Sequence, residues 1–287
     1  MAEYIIDEDY DNVRVDKFLR KKYKDIPLMG IYKMIRKGRV KVNGKKTKEK
    51  YRLLEGDILK VITNDIVKEK KFIKLDERDS KLVTQGIVYE DENILLFNKP
   101  YGIVVHKGSG HDYGLIEILK SYYKNSDINF VNRIDKMTSG LILAGKNLKT
   151  IRTYTEYIRN KEIKKYYYVL VKGEIKEKKF VIESNLLKGE KNVNEVAEDK
   201  EGKWSKTIFK AIKVNNGYSL LEAELVTGRT HQIRVQLAEK GYPILGDYKY
   251  GVKSGKKMFL FSHKIEIEKE NFKFNLELPE YFSEKLF

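Results

Sequence analysis

Apolar residues in this chain come in short runs whose period changes along its length, and that change limits the folds open to it. Early on the spacing is helical: Val15, Phe18, Leu19 and Tyr23 share one face, and so do Ile31, Met34 and Ile35. VKVNGKK then reads as a strand turning at Asn43-Gly44. From Leu82 onward strands and helices are mixed. GIVYEDENILLFNKPYGIVVHKG holds two strand-like runs, the first broken at Asn98-Lys99-Pro100, with a tight turn at Gly102. Leu148, Ile151, Tyr154, Tyr157 and Ile158 mark an amphipathic helix, while residues 166–171, SLLEAELV and FKFNLEL read as strands. Because strands do not alternate strictly with helices, the expected class is α+β with a mixed, mainly antiparallel sheet, not a doubly wound parallel one. The longest apolar runs, residues 141–144 and 259–261, fall far short of the roughly 20 residues that cross a bilayer.

Charge is as unevenly spread as the period. The chain carries 58 basic and 42 acidic side chains, a formal +16, and residues 12–60 alone hold 17 basic against 5 acidic. A lysine-rich background explains some of the excess, but its concentration favours a polyanionic partner. Of the basic residues 47 are lysine and 11 arginine, so an arginine marks a place that needs a planar, two-pronged donor. Five lie between Arg14 and Arg52, and the last two are Arg229 and Arg234. The absence of cysteine excludes disulfides, thiolate zinc sites and a cysteine nucleophile, and four scattered histidines argue against a metal cage. The start, MAEYIIDEDYD, is acidic and lacks the basic region of a signal peptide, so a cytoplasmic protein without membrane contact is expected. At roughly 150 residues per domain the length suggests about two domains. The change of character near residue 62 divides them as 1–62, a polar linker over 63–81, and 82–287.

Three constellations carry chemistry. In Asn132-Arg133-Ile134-Asp135-Lys136-Met137-Thr138-Ser139-Gly140 a carboxylate stands between cations, which fits a nucleophile or electrostatic stabiliser better than a proton donor. Taken alone, it reads more simply as a loop in which Asp135 pairs with Arg133 or caps a turn. In Thr227-Gly228-Arg229-Thr230-His231-Gln232-Ile233-Arg234, followed by GYPILGD, two arginines bracket a polar stretch suited to phosphate oxygens or a buried carboxylate. The plain alternative is an amphipathic element with exposed arginines. His231 by itself reads as a hydrogen-bonded structural residue. Lys164-Lys165-Tyr166-Tyr167-Tyr168 sets tyrosine faces beside lysines, as a nucleobase platform would, or is a strand with Tyr167 on one face and Tyr166 and Tyr168 on the other.

In their order, NKPYGIVVHKG, NRIDKMTSG, KKYYYVLVKG and TGRTHQIRVQLAEKGYPILGDYKYG closely resemble the RluA-type family of RNA pseudouridine synthases. Residues 12–61 resemble an S4 RNA-binding domain, and together the two cover nearly the whole chain. The resemblance implies that Asp135 is the catalytic carboxylate, that Arg234 pairs with it, and that Tyr167, six residues before Gly173, is the family tyrosine. Arg133 matches the side chain implicated in displacing the target nucleotide from its stack. RNA contacts are expected from Arg229 and, in the S4 segment, from Arg14, Lys17, Lys33, Arg36, Lys37 and Arg39. Two departures stand out: Asn132 where many members have histidine, and Gln236 where histidine often follows Arg-Val.

The implied activity is isomerisation of uridine to pseudouridine in structured RNA, with large-subunit ribosomal RNA as target, a monomeric enzyme and no cofactor. Moving uracil from N1 to C5 linkage on C1′ needs a uridine extruded from its stack and an anionic group near the sugar. Three rivals differ in class or site: a non-catalytic S4-type RNA-binding or assembly factor, a sibling synthase family with another arginine motif, and a nucleoside or glycan hydrolase. The hydrolase would need two carboxylates flanking the bond, and only one lies in a motif.

Overall fold

A computed structural model describes every residue except 25, 63–71, 109–111, 189–193, 197–201, 254, 256 and 287, so residues 63–71 of the expected linker lie outside the described residues. The first unit comprises β1 (Ala2–Ile5), α1 (Val15–Lys22), α2 (Leu28–Arg36), β2 (Val40–Val42), β3 (Lys45–Lys46) and β4 (Ile58–Val61), with an antiparallel sheet in the order β1-β4-β2-β3. The residues at helical spacing, Val15, Phe18, Leu19, Ile31 and Ile35, pack on Val40, Leu53, Leu59 and Val61. Asp16 in the first turn of α1 and Arg20, Lys21 and Lys22 in the last suit the helix dipole. Asn43 fixes the turn between β2 and β3: its Nδ2 donates to Asp57 at 2.7 Å and its Oδ1 accepts from Ile58 N at 2.8 Å. The acidic start is a strand, since β1 pairs with β4 from Ala2↔Val61 to Ile5↔Ile58.

The second unit runs through α3 (Glu77–Gly86), β5 (Ile87–Glu90), β6 (Ile94–Lys99), α4 (Leu115–Tyr122), β7 (Asn129–Phe130), β8 (Ser139–Gly145), α5 (Leu148–Arg159) and β9 (Ile163–Lys172). It continues with β10 (Lys179–Lys188), β11 (Asn194–Val196), β12 (Lys203–Asn215), β13 (Tyr218–Leu225), α6 (Gln232–Glu239), β14 (Leu260–Ile267), β15 (Phe272–Asn275) and α7 (Glu280–Leu286). Eleven strands form one sheet, β11-β10-β12-β13-β9-β14-β8-β6-β5, with β15 beside β14 and β7 beside β8. Only β14 and β8 are parallel, so the class is α+β with a mixed, mainly antiparallel sheet.

Alternate residues of β6 and β8 face opposite cores. Leu95, Phe97, Ile142 and Ala144 pack with α3 and α4, whereas Ile94, Leu96, Leu141 and Leu143 pack on the other side with Tyr154 of α5 and Ile265 of β14. Burial on both faces is why these strands read as unbroken apolar runs. Two segments depart from the sequence reading. Residues 77–81, read as linker, begin α3. There Asp76 accepts from Asp79 N at 2.8 Å and Asp79 accepts from Asp76 N at 3.4 Å, a capping box built from the charges that suggested a linker. The run after Gly102 is no strand, because its carbonyls are engaged elsewhere: Val104 and Val105 accept from Leu115 and Ile116 N–H at the start of α4, and Ile103 accepts from Lys99 Nζ.

The sheet narrows at its centre. β8 and β14 meet at only two pairs, Ser139↔Phe261 and Gly140↔Ser262. Gly140 sits at φ +103°, and a Cβ there would lie 2.2 Å from the Ser262 carbonyl oxygen, so this crossing requires glycine. The first unit docks on the start of α5. Lys149 N donates to Asp9 Oδ1 at 2.9 Å, Lys149 Nζ pairs with Glu8 at 2.8 Å, Arg152 donates to the Asp9 carbonyl, and Leu148 packs on the first unit's core.

Candidate active site

The loop before β8 carries Asp135 and is pinned along its length. Asn132 Oδ1 accepts from Leu143 N at 2.9 Å, Ile134 is buried in the core beside α6, and Thr138 N donates to the Asp135 carbonyl at 3.1 Å. The next carbonyl, Lys136, accepts from Gly102 N at 2.9 Å and from Lys99 Nζ at 3.2 Å. Lys99 is wholly buried, and its ammonium also donates to the carbonyls of Pro100 and Ile103, each at 2.9 Å. Burial pulls it down to about 7, against the opposing attraction of Asp135.

Helix α6 presents Arg234, which is 4 % exposed despite its charge. Its Nε and one amino group donate to the two oxygens of Asp247, both at 2.7 Å, and the other amino group donates to Asp135 Oδ2 at 3.3 Å. Asp247, fully buried at its side chain, also accepts from Lys249 N at 2.9 Å and Tyr250 N at 3.3 Å. Burial alone would raise its carboxyl, yet the Arg234 fork and these N–H groups hold it below the ordinary range. Gly246 makes the turn that delivers it, at φ +76° with its absent Cβ only 2.0 Å from the Lys257 carbonyl oxygen. The sequence-expected partner of Arg234 is thus its second one; the bidentate partner is Asp247.

His231 caps α6 in the left-handed conformation, at φ 57°. Its Nδ1 lies 2.9 Å from the Tyr250 hydroxyl and its Nε2 lies 3.7 Å from the same Asp135 oxygen that Arg234 reaches. Burial lowers its pKa below the ordinary imidazole value, with the neighbouring Asp135 carboxylate opposing. The Tyr250 ring lies 5.1 Å beneath the Arg234 guanidinium carbon. Behind α6, Gln236 donates to Ser205 Oγ at 3.0 Å and Ser184 Oγ at 3.1 Å and accepts from Thr207 at 2.6 Å. The histidine-to-glutamine departure therefore falls in a satisfied buried network, away from the cleft lining.

Strand alternation separates the three tyrosines. Tyr166 donates to Glu266 at 3.0 Å and Tyr168 stacks on His263 at 3.7 Å, while Tyr167 points to the α6 side and is buried with Ile134, Ala223 and Leu260. Burial pushes the Tyr167 hydroxyl well above its ordinary value; nearby Asp135 raises it further and Ser262 opposes. An open cleft of about 370 Å³ joins Asp135, Tyr167 and Arg234, with Arg133, Arg229 and His231 also on its walls. In the first unit Lys17, Lys33, Arg36, Lys37 and Arg39 are exposed. Arg14 differs, its fork closed on buried Asp16 at 2.7 and 3.0 Å.

The sequence reading assigned no site role to Asp247 or Lys99. Both stood inside quoted motifs, and each had a signal: an arginine needing a buried counter-charge, and a lysine interrupting an apolar run. Among the described residues no group of three potential ligands could hold a metal ion.

Comparison with known proteins agrees with this arrangement. The family model described as RNA pseudouridylate synthase matches residues 93–239, which include Asp135, Tyr167 and Arg234, and the S4 domain model matches residues 13–59. Among curated proteins, ribosomal large subunit pseudouridine synthase C of Vibrio parahaemolyticus is 39% identical over 249 residues, covering 86% of this chain and 79% of that one. Its counterpart from Buchnera aphidicola subsp. Baizongia pistaciae is 41% identical over 255 residues, covering 86% and 80%. Among solved structures, human RNA pseudouridylate synthase domain containing 4 superposes with a TM-score of 0.60 at 20% identity, over 73% of this chain and 94% of that one, a likeness of fold. With the motifs, the sheet and these matches in accord, the chain belongs to the RNA pseudouridylate synthase family and carries an S4 domain.

Proposed function

We propose that this RNA pseudouridine synthase acts on uridines of large-subunit ribosomal RNA, the substrate its relatives are named for, with Asp135 as the reacting carboxylate. The observation that carries the reading is the meeting of Asp135, Arg234 and Tyr167 in one open cleft, from a loop, a helix and a strand far apart in sequence. The isomerisation breaks N1–C1′, forms C5–C1′, removes the proton from C5 and gives one to N1, so it balances without a co-reactant. Asp135 supplies the anionic group that reacting C1′ or the base requires. Arg234, fixed by Asp247, orients that carboxylate.

Tyr167, with its hydroxyl pushed up by burial, is a poor base and serves as a surface under the uracil. Arg133, exposed beside Asp135, takes the place of the extruded nucleotide. Residues 1–62 grip the phosphate backbone through Lys17, Lys33, Arg36, Lys37 and Arg39, and the second unit, with α3 from Glu77 as part of it, performs the chemistry. The enzyme works as a monomer in the cytoplasm; no described helix is long and apolar enough to cross a membrane.

The test is Asp135→Asn assayed on transcribed ribosomal RNA fragments. Pseudouridine formation is expected to vanish while RNA affinity stays within about twofold, because phosphate contacts dominate binding. A wild-type rate from this variant overturns the mechanism. Chemical mapping of pseudouridine in cells with and without the gene then identifies the target RNA, and loss confined to transfer RNA would overturn the ribosomal assignment.

A further inference from the structure

Trp204 is the only tryptophan in the chain, and it stands on β12 with 42% of its surface open to solvent. Its surroundings hold the ring in place. Lys206, on the same face of β12, pairs with Glu183 on the neighbouring strand at 2.7 Å. Lys161, in the turn between α5 and β9, places its ammonium 5.3 Å from the ring centroid. Arg229 ties this feature to the cleft: its side chain lines the cleft wall, and its Nε donates to the Trp204 carbonyl at 3.0 Å. An exposed aromatic face with the Lys161 ammonium over its ring, its main chain tied through Arg229 to the cleft wall, has the composition of a single-stranded nucleic-acid platform.

We propose that Trp204, with Lys161 and Arg229, forms a stacking subsite for the nucleobase of a nucleotide flanking the uridine drawn into the cleft. The inference rests on the synthase reading above. Extruding a uridine deprives its neighbours of a stacking partner, and the indole face replaces part of that loss while the two cations meet the adjoining phosphates. Every base has a π-face, so the subsite selects an unpaired flanking nucleotide and not a particular base. Glu183 stays neutralised by Lys206 and does not repel the strand.

The sole tryptophan is its own reporter. Titration of the full-length enzyme with short single-stranded oligo(U), and with a transcribed ribosomal stem-loop, is expected to quench Trp204 emission saturably. Trp204→Ala is expected to raise KM for the stem-loop about tenfold, the effect of losing one base stack, and Trp204→Phe to restore most of it. The Phe variant also separates loss of stacking from loss of fold. Emission unchanged at saturating RNA, or equal KM for the wild type and the Ala variant, overturns the subsite. If Asp135→Asn is inactive in the same assay, the synthase reading survives that result. A wild-type rate from Asp135→Asn would instead strike the synthase reading, and the subsite with it.

Discussion

Asp247 converts a mobile side chain into a fixed one. Arg234 has three donor directions committed, two to Asp247 and one to Asp135, and buried Asp247 has no water to fall back on. Replacing it with alanine leaves a buried guanidinium without its bidentate counter-charge, held only by Asp135 at 3.3 Å, a loss of about 3 kcal/mol. Urea unfolding of Asp247→Ala measures that loss, and pseudouridine formation is expected to drop with it because Asp135 loses its clamp. The pH dependence follows in sign: the folded Asp247 carboxyl lies below its unfolded value, so its stabilisation is present above pH of about 4. It disappears as pH falls through the lower folded value, and the Ala variant is expected to show a shallower acid limb.

Lys99 acts in the opposite window. Pulled to about 7 from an ordinary 10.5, it binds a proton more readily unfolded than folded, so the fold gains stability as pH climbs between those values. Denaturation of Lys99→Met across that range is expected to flatten the rise. Neither group was legible as part of the site, and the reason is physical. Asp135, Tyr167 and Arg234 stand in the motifs that carry the family resemblance, whereas Asp247 matters through Arg234, which the fold brings to it, and Lys99 through carbonyls of its own turn and of the Asp135 loop. Arg14, expected to meet RNA, closes its fork on Asp16 only two residues along the chain.

Among the elements, the β8–β14 crossing has the least room for change. Gly140→Ala would drive a methyl into the Ser262 carbonyl at a backbone angle that L side chains seldom adopt. A loss on the order of 3 kcal/mol is expected, seen as a lowered Tm and a poor yield of folded protein, with the Asp135 loop displaced because it enters β8 four residues earlier. Apolar runs of strand length made β9 and β13 readable from sequence, and helical spacing gave α1, α2 and α5. The segment after Gly102 misled because an apolar run of strand length can equally serve as a wrap around one buried ammonium. The start of α3 misled because aspartates that cap a helix look, in sequence, like a solvated linker.

For the whole molecule, the division of labour lies between a basic first unit and a catalytic second. Deleting residues 1–62 is expected to weaken RNA binding and flatten the slope of affinity against salt, since the excess of positive charge over residues 12–60 leaves with it. Filter binding at a series of salt concentrations reads that slope, and an unchanged value would locate the main electrostatic contact elsewhere. Of the ion pairs that join the units, Lys149–Glu8 adds little, each side chain being 64% exposed, whereas Lys21 of α1 meets Asp127 at 2.7 Å with both side chains mostly covered. The junction rests on that second pair, on Leu148 packing and on the Lys149 N–H in the first turn of α5 donating to Asp9. Helix α5 thereby becomes a strut: one end is bolted to the basic first unit, and the other leads into the turn where Lys161 meets Trp204. Its twelve residues span about 18 Å, and that length fixes how far the docked edge of the basic unit stands from the turn that carries Lys161.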